Sequence, residues 1–278
     1  RQHREAERGG VALPLPEQEI DIADGSWSLS FRTMRPVEQW NAQVSLLTGM
    51  AAADLMIYAR VGLLRTLPPP DPRDLQRLHR TARALGIEWP AEQLYPDFIR
   101  SLDPNRSEHA AMVIASTRLL RGSGYVGFDG AVPEQAEHAA LASEYAHVTA
   151  PLRRLADRYA LEICVSLCDG SDVPDWVLAK LEELPKTMQA SAQRASQYER
   201  AIVNLVEAEV LRERVGQEFD GVVVAVDADD PRRGDVVVQE PAIEAPVSGP
   251  SELPLGTHVR VRLAEADPAG RAVRFELA

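Results

Sequence analysis

Apolar residues recur at helical spacing through most of the chain and change to strand-like alternation near its end. Val37, Trp40, Val44 and Leu47, then Met50 through Leu55, form an apolar stripe on a helix that starts at Pro36. Leu75, Leu78, Ala82 and Leu85 line another, which begins near Asp74 after the stiff Leu67-Pro68-Pro69-Pro70-Asp71-Pro72 segment and stops at Gly86. Further helices are predicted over about 93–102, 107–120, 173–184 and, long and charged, 185–214. A core helix is predicted from Pro151, a residue suited to a first helical position, to about Leu167. Its buried side takes Leu152, Leu155, Ala156, Tyr159 and Ile163, and Asp169-Gly170-Ser171 ends it.

Punctuation between these stretches is equally local. Residues 1–8 read as the charged tail of a helix stopped by Gly9-Gly10. Residues 19–23 and 26–32 alternate around Asp24-Gly25, a hairpin signal. Residues 57–66 suit a short strand or a helix end, and residues 122–130 a glycine-rich connecting turn. After Arg214-Val215-Gly216 the texture becomes that of short strands, at 219–226, 235–238, 257–263 and 272–277, separated by Asp, Gly and Pro turns.

Composition narrows the picture without deciding it. The 278 residues are 45% hydrophobic, enough for one large core or two domains. No apolar run is expected to be long enough to cross a bilayer and no basic-then-apolar leader opens the chain, so no membrane partner is expected. Cys164 and Cys168 are too few for a disulfide framework or a four-ligand zinc site, which points to reduced thiols and a cytoplasmic protein. A net charge of −12 argues against a broad basic coat for nucleic acid, while leaving room for a locally basic channel.

The stretch with chemistry in it is Tyr145-Ala146-His147-Val148-Thr149-Ala150-Pro151-Leu152-Arg153-Arg154-Leu155-Ala156-Asp157. Adjacent arginines at a helix start are planar, permanently charged forks beside free backbone N–H groups, a combination that suits phosphate. The pattern Tyr-x-His-x-Thr-x-Pro-x-Arg-Arg-x-x-Asp resembles the signature of the ribonuclease II family catalytic domain, usually Tyr-Thr-His-Phe-Thr-Ser-Pro-Ile-Arg-Arg-Tyr-x-Asp. The text of residues 8–17 and the Pro-Pro-Asp-Pro segment are also similar to that family. So is residues 41–51, where Ala42-Gln43 replaces the family's Glu pair and Gly49 its Asn.

This resemblance implies an α+β fold. Residues 1–212 would be the mostly helical C-terminal part of an RNB-type catalytic domain, and 213–278 a small all-β OB-fold barrel. It implies a hydrolytic 3′-to-5′ exoribonuclease that degrades single-stranded RNA with Mg²⁺, the metal held by aspartates upstream of this chain. Arg153 would contact the scissile phosphate and Arg154 the RNA backbone. Glu199, on the long helix, would supply an acid near the cavity. Tyr145, His147, Thr149 and Gln43 are candidates for RNA contacts, and His138 and His147 are read as structural. A monomer that does not bind DNA is expected. Ala42-Gln43, Ala150 in place of the family's Ser, and an Asp- and Glu-rich barrel with few aromatics also fit a degenerate member that binds RNA or a protein partner without cutting.

Overall fold

The structure, a computed structural model, describes residues 2–15, 17–23, 26–32, 34–103 and 106–278. The hairpin signal at Asp24-Gly25 therefore lies outside the described residues. By contacts the chain divides into two units, each assembled from several segments: 1–12, 35–71 and 119–195 in the first, 13–34, 72–118 and 196–278 in the second.

In the first unit, α1 (Gln2–Arg8) stops at Gly9, whose φ of 83° admits glycine readily. Helix α2 (Pro36–Ala59) begins at Pro36 as its sequence predicts, but only the later part of the predicted stripe is buried. Gly49, Met50, Ala52, Ala53 and Met56 go inward, while Val37, Trp40, Val44 and Leu47 stay exposed. Small residues win the inner face because the chain packs close there: a Cβ on Gly49 would lie 2.1 Å from the Tyr145 ring and 2.5 Å from the Ala146 carbonyl. Contrary to the composition reading, α2 is also long and apolar enough to cross a membrane by length and composition alone, although part of it packs into the core.

Strand β3 (Val61–Thr66) follows α2 directly and pairs antiparallel with β4 (Gly124–Asp129), with Arg65 opposite Tyr125. The glycine-rich stretch is thus a strand and not a connecting turn. Gly127 allows it, since a Cβ there would meet the Leu181 carbonyl at 2.2 Å. Two short strands, β5 (Glu137–His138) and β6 (Ser143–Glu144), pair with each other, and Leu67 bridges to His138. Helix α6 (Leu155–Asp169) buries Ala156, Ala160 and Ile163 and ends at Gly170 with φ 71°. It starts four residues later than Pro151 suggested, so Leu152 is fully exposed and Leu155 is 43% exposed. The helix predicted over 173–184 is reduced to α7 (Asp175–Leu178) and turns.

The long helix is present as α8 (Leu184–Leu211), ending in a 3₁₀ turn at Arg212–Arg214. In the second unit, β1 (Glu17–Ala23) and β2 (Ser26–Arg32) pair antiparallel. Helices α3 (Pro72–Ala84), α4 (Tyr95–Ser101) and α5 (Ser107–Ser116) follow, with α5 packing on β7 (Glu218–Val226). β7, β8 (Arg233–Val238), β9 (Ile243–Ser248), β11 (Ala272–Leu277) and β10 (His258–Asp267) close into a barrel in that order, β9 and β11 being parallel. β9 escaped the sequence reading because Pro246 interrupts its alternation; it pairs opposite Asp235. Phe219 and Phe275 meet edge-on at 5.7 Å inside the barrel, among Val223, Val236, Ile243 and Val261. This α+β architecture, largely helical and then an OB-like barrel, is the fold class expected.

Candidate nucleic-acid interface

Pro151, Leu152 and Arg153 form a turn before α6, closed by the Arg153 and Arg154 N–H groups on the Ala150 carbonyl at 3.2 and 3.0 Å. Arg154 is the cap residue, with extended backbone, and turns its side chain back onto the helix. Its guanidinium pairs with the fully buried Asp157: Nη2 donates to Oδ1 at 2.9 Å, and Nε lies 2.8 Å from Oδ2 as an ion-pair contact without hydrogen-bond alignment. Asp157 Oδ1 also accepts the Ala150 N–H at 2.7 Å. A buried carboxylate therefore ties the loop to the helix, in place of a cap hydroxyl at position 150.

Arg153 lies on the outside of the same turn. Its side chain is exposed and takes no hydrogen bond or ion pair among the described residues. Its charge, with those of Arg65 and Arg154, is felt at the Tyr125 hydroxyl, where burial nonetheless raises the pKa. Arg65 completes the group. Its guanidinium sits 4.8 Å over the Tyr125 ring and donates to Ser123 Oγ at 2.7 Å, while burial lowers its pKa.

Rings fill the space between these cations. The Tyr125 hydroxyl is 2.7 Å from His147 Nδ1, Tyr145 meets His147 edge-on at 5.4 Å, and His138 meets Tyr145 at 6.3 Å. Burial, then the positive charges of Arg154 and Arg65, push His147 down to about 3. Burial and Arg65 push His138 down to about 4. Both imidazoles are therefore neutral near pH 7. The Tyr145 ring is buried against Gly49, and its backbone carbonyl accepts the Arg65 N–H at 2.7 Å.

The structure thus brings together Tyr145, His147, Arg153 and Arg154 with Arg65, Tyr125, His138 and Asp157, all within one unit. Thr149 is exposed on the loop beside them. Gln43 is on α2 with its amide donating to Glu5 of α1. Glu199 is exposed on α8, in the other unit. Sequence reasoning passed over Arg65 and Tyr125 because strand pairing, not proximity in sequence, joins them to the motif. Asp157 had a signal, the final position of the motif itself.

Mg²⁺ does not fit the side chains present. Among the described residues no group of three or more His, Cys, Asp or Glu could hold a metal, and Asp157 is taken up by Arg154 and a backbone N–H. Three exposed arginines of the barrel strands are also committed: Arg260 to Glu218 and Asp220, Arg262 to Glu276, Arg274 to Glu265 and Glu276.

A helical part carrying a paired-arginine loop, followed by an OB-like barrel, is the architecture of RNB-type proteins. The chain belongs to the RNB-domain family: residues 1–167 match the RNB domain, and residues 217–278 match the RNase II-type exonuclease C-terminal S1 domain. It is 25% identical to Ribonuclease R of Aquifex aeolicus (strain VF5) over 306 residues, which cover 98% of this chain and 42% of that protein. Its fold is similar to that of Mycoplasma genitalium RNase R in complex with ribose methylated single-stranded RNA (TM-score 0.83, 17% identity, 100% of this chain and 47% of that one). It is also similar to yeast Ssd1, described as a pseudonuclease (TM-score 0.62, 16% identity, 88% of this chain and 29% of that one). The chain spans less than half the length of each of these proteins.

Proposed function

We propose that this chain is the RNA-holding C-terminal part of a hydrolytic 3′-to-5′ exoribonuclease acting on single-stranded RNA as a cytoplasmic monomer. Its Mg²⁺ would be held by residues outside this chain. One observation carries the reading: segments distant in sequence converge to set three arginines among two tyrosines and two neutral histidines. Cations that meet phosphates, interleaved with rings, suit a flexible single strand better than a rigid duplex. The arginines divide the work. Arg154 is neutralised by Asp157 and holds the loop's shape, whereas Arg153 keeps its full charge facing solvent, free to meet a phosphate and offset charge developing there. No side chain in the cluster is placed to activate water.

A second reading, an RNB member that binds RNA or a protein partner without cutting, draws on Gln43. Where the family carries acids, this chain has an amide, and that amide is engaged with Glu5. The solved neighbours include both RNase R and a pseudonuclease. The test is full-length protein incubated with end-labelled single-stranded RNA and Mg²⁺. Stepwise shortening from the 3′ end that EDTA stops supports the nuclease; RNA bound but intact supports the second reading.

A further inference from the structure

Away from the signature, in the second unit, three rings stack in series beside a small cavity. His79 on α3 lies 3.8 Å from Trp89 with planes 24° apart, and Trp89 lies 3.9 Å from Phe98 of α4 with planes 1° apart. Phe98 is fully buried, and the Trp89 Nε1–H donates to the Gln93 carbonyl at 3.0 Å, so the stack is fixed at its inner end. The outermost ring, His79, lines a cavity of about 230 Å³ together with Ala82, Arg83, Ile87, Glu88 and Trp89. That space suits one planar ring system and little more.

Two charges of opposite sign reach this cavity without meeting. Arg83 follows His79 by one helical turn, on the same face of α3. Glu88 lies just beyond Gly86, which ends the helix with φ 68°. Neither side chain has a hydrogen bond or ion pair among the described residues, so each is available to a ligand.

We propose that this cavity is a guanine-binding site. The base extends the ring stack outward from His79, Arg83 donates to O6 and N7, and Glu88 accepts from N1–H and the N2 amino group. Those atoms follow one another around the guanine edge, so both charges serve one base. Adenine opposes the arrangement, offering its N6 amino group to Arg83 and a bare N1 to Glu88. Pyrimidines give His79 a smaller ring to stack on. Ribose and phosphate stay outside the cavity, so a guanosine within an RNA strand and a free guanine mononucleotide present the same chemistry. The site does not depend on the nuclease reading, because the mononucleotide addresses it alone.

The experiment titrates the chain with GMP, AMP and the RNA heptamers UUUGUUU and UUUAUUU. Affinities are measured by calorimetry, and the Trp89 indole N–H signal is followed by NMR, assigned through Trp89→Phe. The expected result is a guanine ligand that shifts the Trp89 signal and binds about tenfold tighter than its adenine counterpart. Glu88→Ala and Arg83→Ala, both at exposed positions, should remove that preference without changing the unfolding midpoint. A preference shown by GMP alone identifies a free nucleotide as the ligand; one shown by the heptamers identifies the RNA strand. The proposal is overturned if neither guanine ligand moves the Trp89 signal, or if the preference survives Glu88→Ala. Failure of RNA holding at the signature is distinct from this: UUUAUUU then fails to bind while GMP still shifts Trp89. Failure of the guanine site leaves both heptamers bound with equal affinity.

Discussion

Asp157 is gripped by Arg154 and not by Arg153, although Arg153 is the residue one helical turn before it in sequence. The 2.9 and 2.8 Å contacts of the Arg154 fork follow from α6 beginning at Leu155. A later start leaves Arg154 at the cap, within reach of the first turn, and Arg153 on the turn outside.

Removing the buried carboxylate should be costly. Asp157→Ala leaves Arg154, whose side chain is only 17% exposed, without its counter-ion and the Ala150 N–H without its acceptor. A loss of about 3–5 kcal/mol in urea unfolding is expected. A loss under about 1 kcal/mol would mean that the fork contributes little to the loop.

Arg153→Ala should behave in the opposite way. With no intramolecular partner to lose, its unfolding free energy should stay within about 0.5 kcal/mol of the parent. In the full-length protein its turnover of labelled RNA should fall by about a hundredfold while RNA affinity changes far less. Unchanged turnover would remove the role assigned to this arginine.

Gly49→Ala tests the seat of Tyr145. The new methyl group would stand 2.1 Å from the Tyr145 ring and 2.5 Å from the Ala146 carbonyl, so ring or helix must move. About 1–3 kcal/mol of destabilisation is expected, with a changed near-ultraviolet tyrosine signal.

The two units should respond to pH with opposite sign. His147 and His138, near 3 and 4 when folded, lie below an unfolded value of about 6.5. Their contribution is present above that unfolded value and is lost as pH falls through it toward 3. Glu207 of α8 is buried, with Gln18 donating to it at 2.8 Å, and burial raises it to about 7. Its contribution is full below about 4.5 and disappears as pH rises through 7. Glu207→Gln, which keeps an acceptor for Gln18, should flatten the unfolding midpoint between pH 5 and 8. An unchanged pH profile in this variant would show that Glu207 is not the group responsible.

Local rules carried much of the architecture. Pro36, Gly9 and Gly170 marked helix ends where the structure has them, and the change of texture after Gly216 marked the barrel. Long-range packing carried the rest. The inner face of α2 was decided by how closely Tyr145 approaches Gly49, a fact about residues almost a hundred positions apart, and the stripe from Val37 to Leu47 misled for that reason. Pro151 misled more locally, because the Asp157 clasp shifts the helix start beyond it. Within the interface the motif was legible as text, whereas Arg65 and Tyr125 became visible only through the β3–β4 register.

The cross-strand pairing of Arg260, Arg262 and Arg274 bears on how this chain meets a polyanion. Guanidiniums already matched by carboxylates displace few condensed counterions, so ionic strength should act through Arg65 and Arg153 and hardly through these three. A plot of log affinity against log salt should then have a shallow gradient, about −1 to −2 at 0.7 per single-strand phosphate neutralised. Charge-swapping the barrel arginines should leave that gradient where it was.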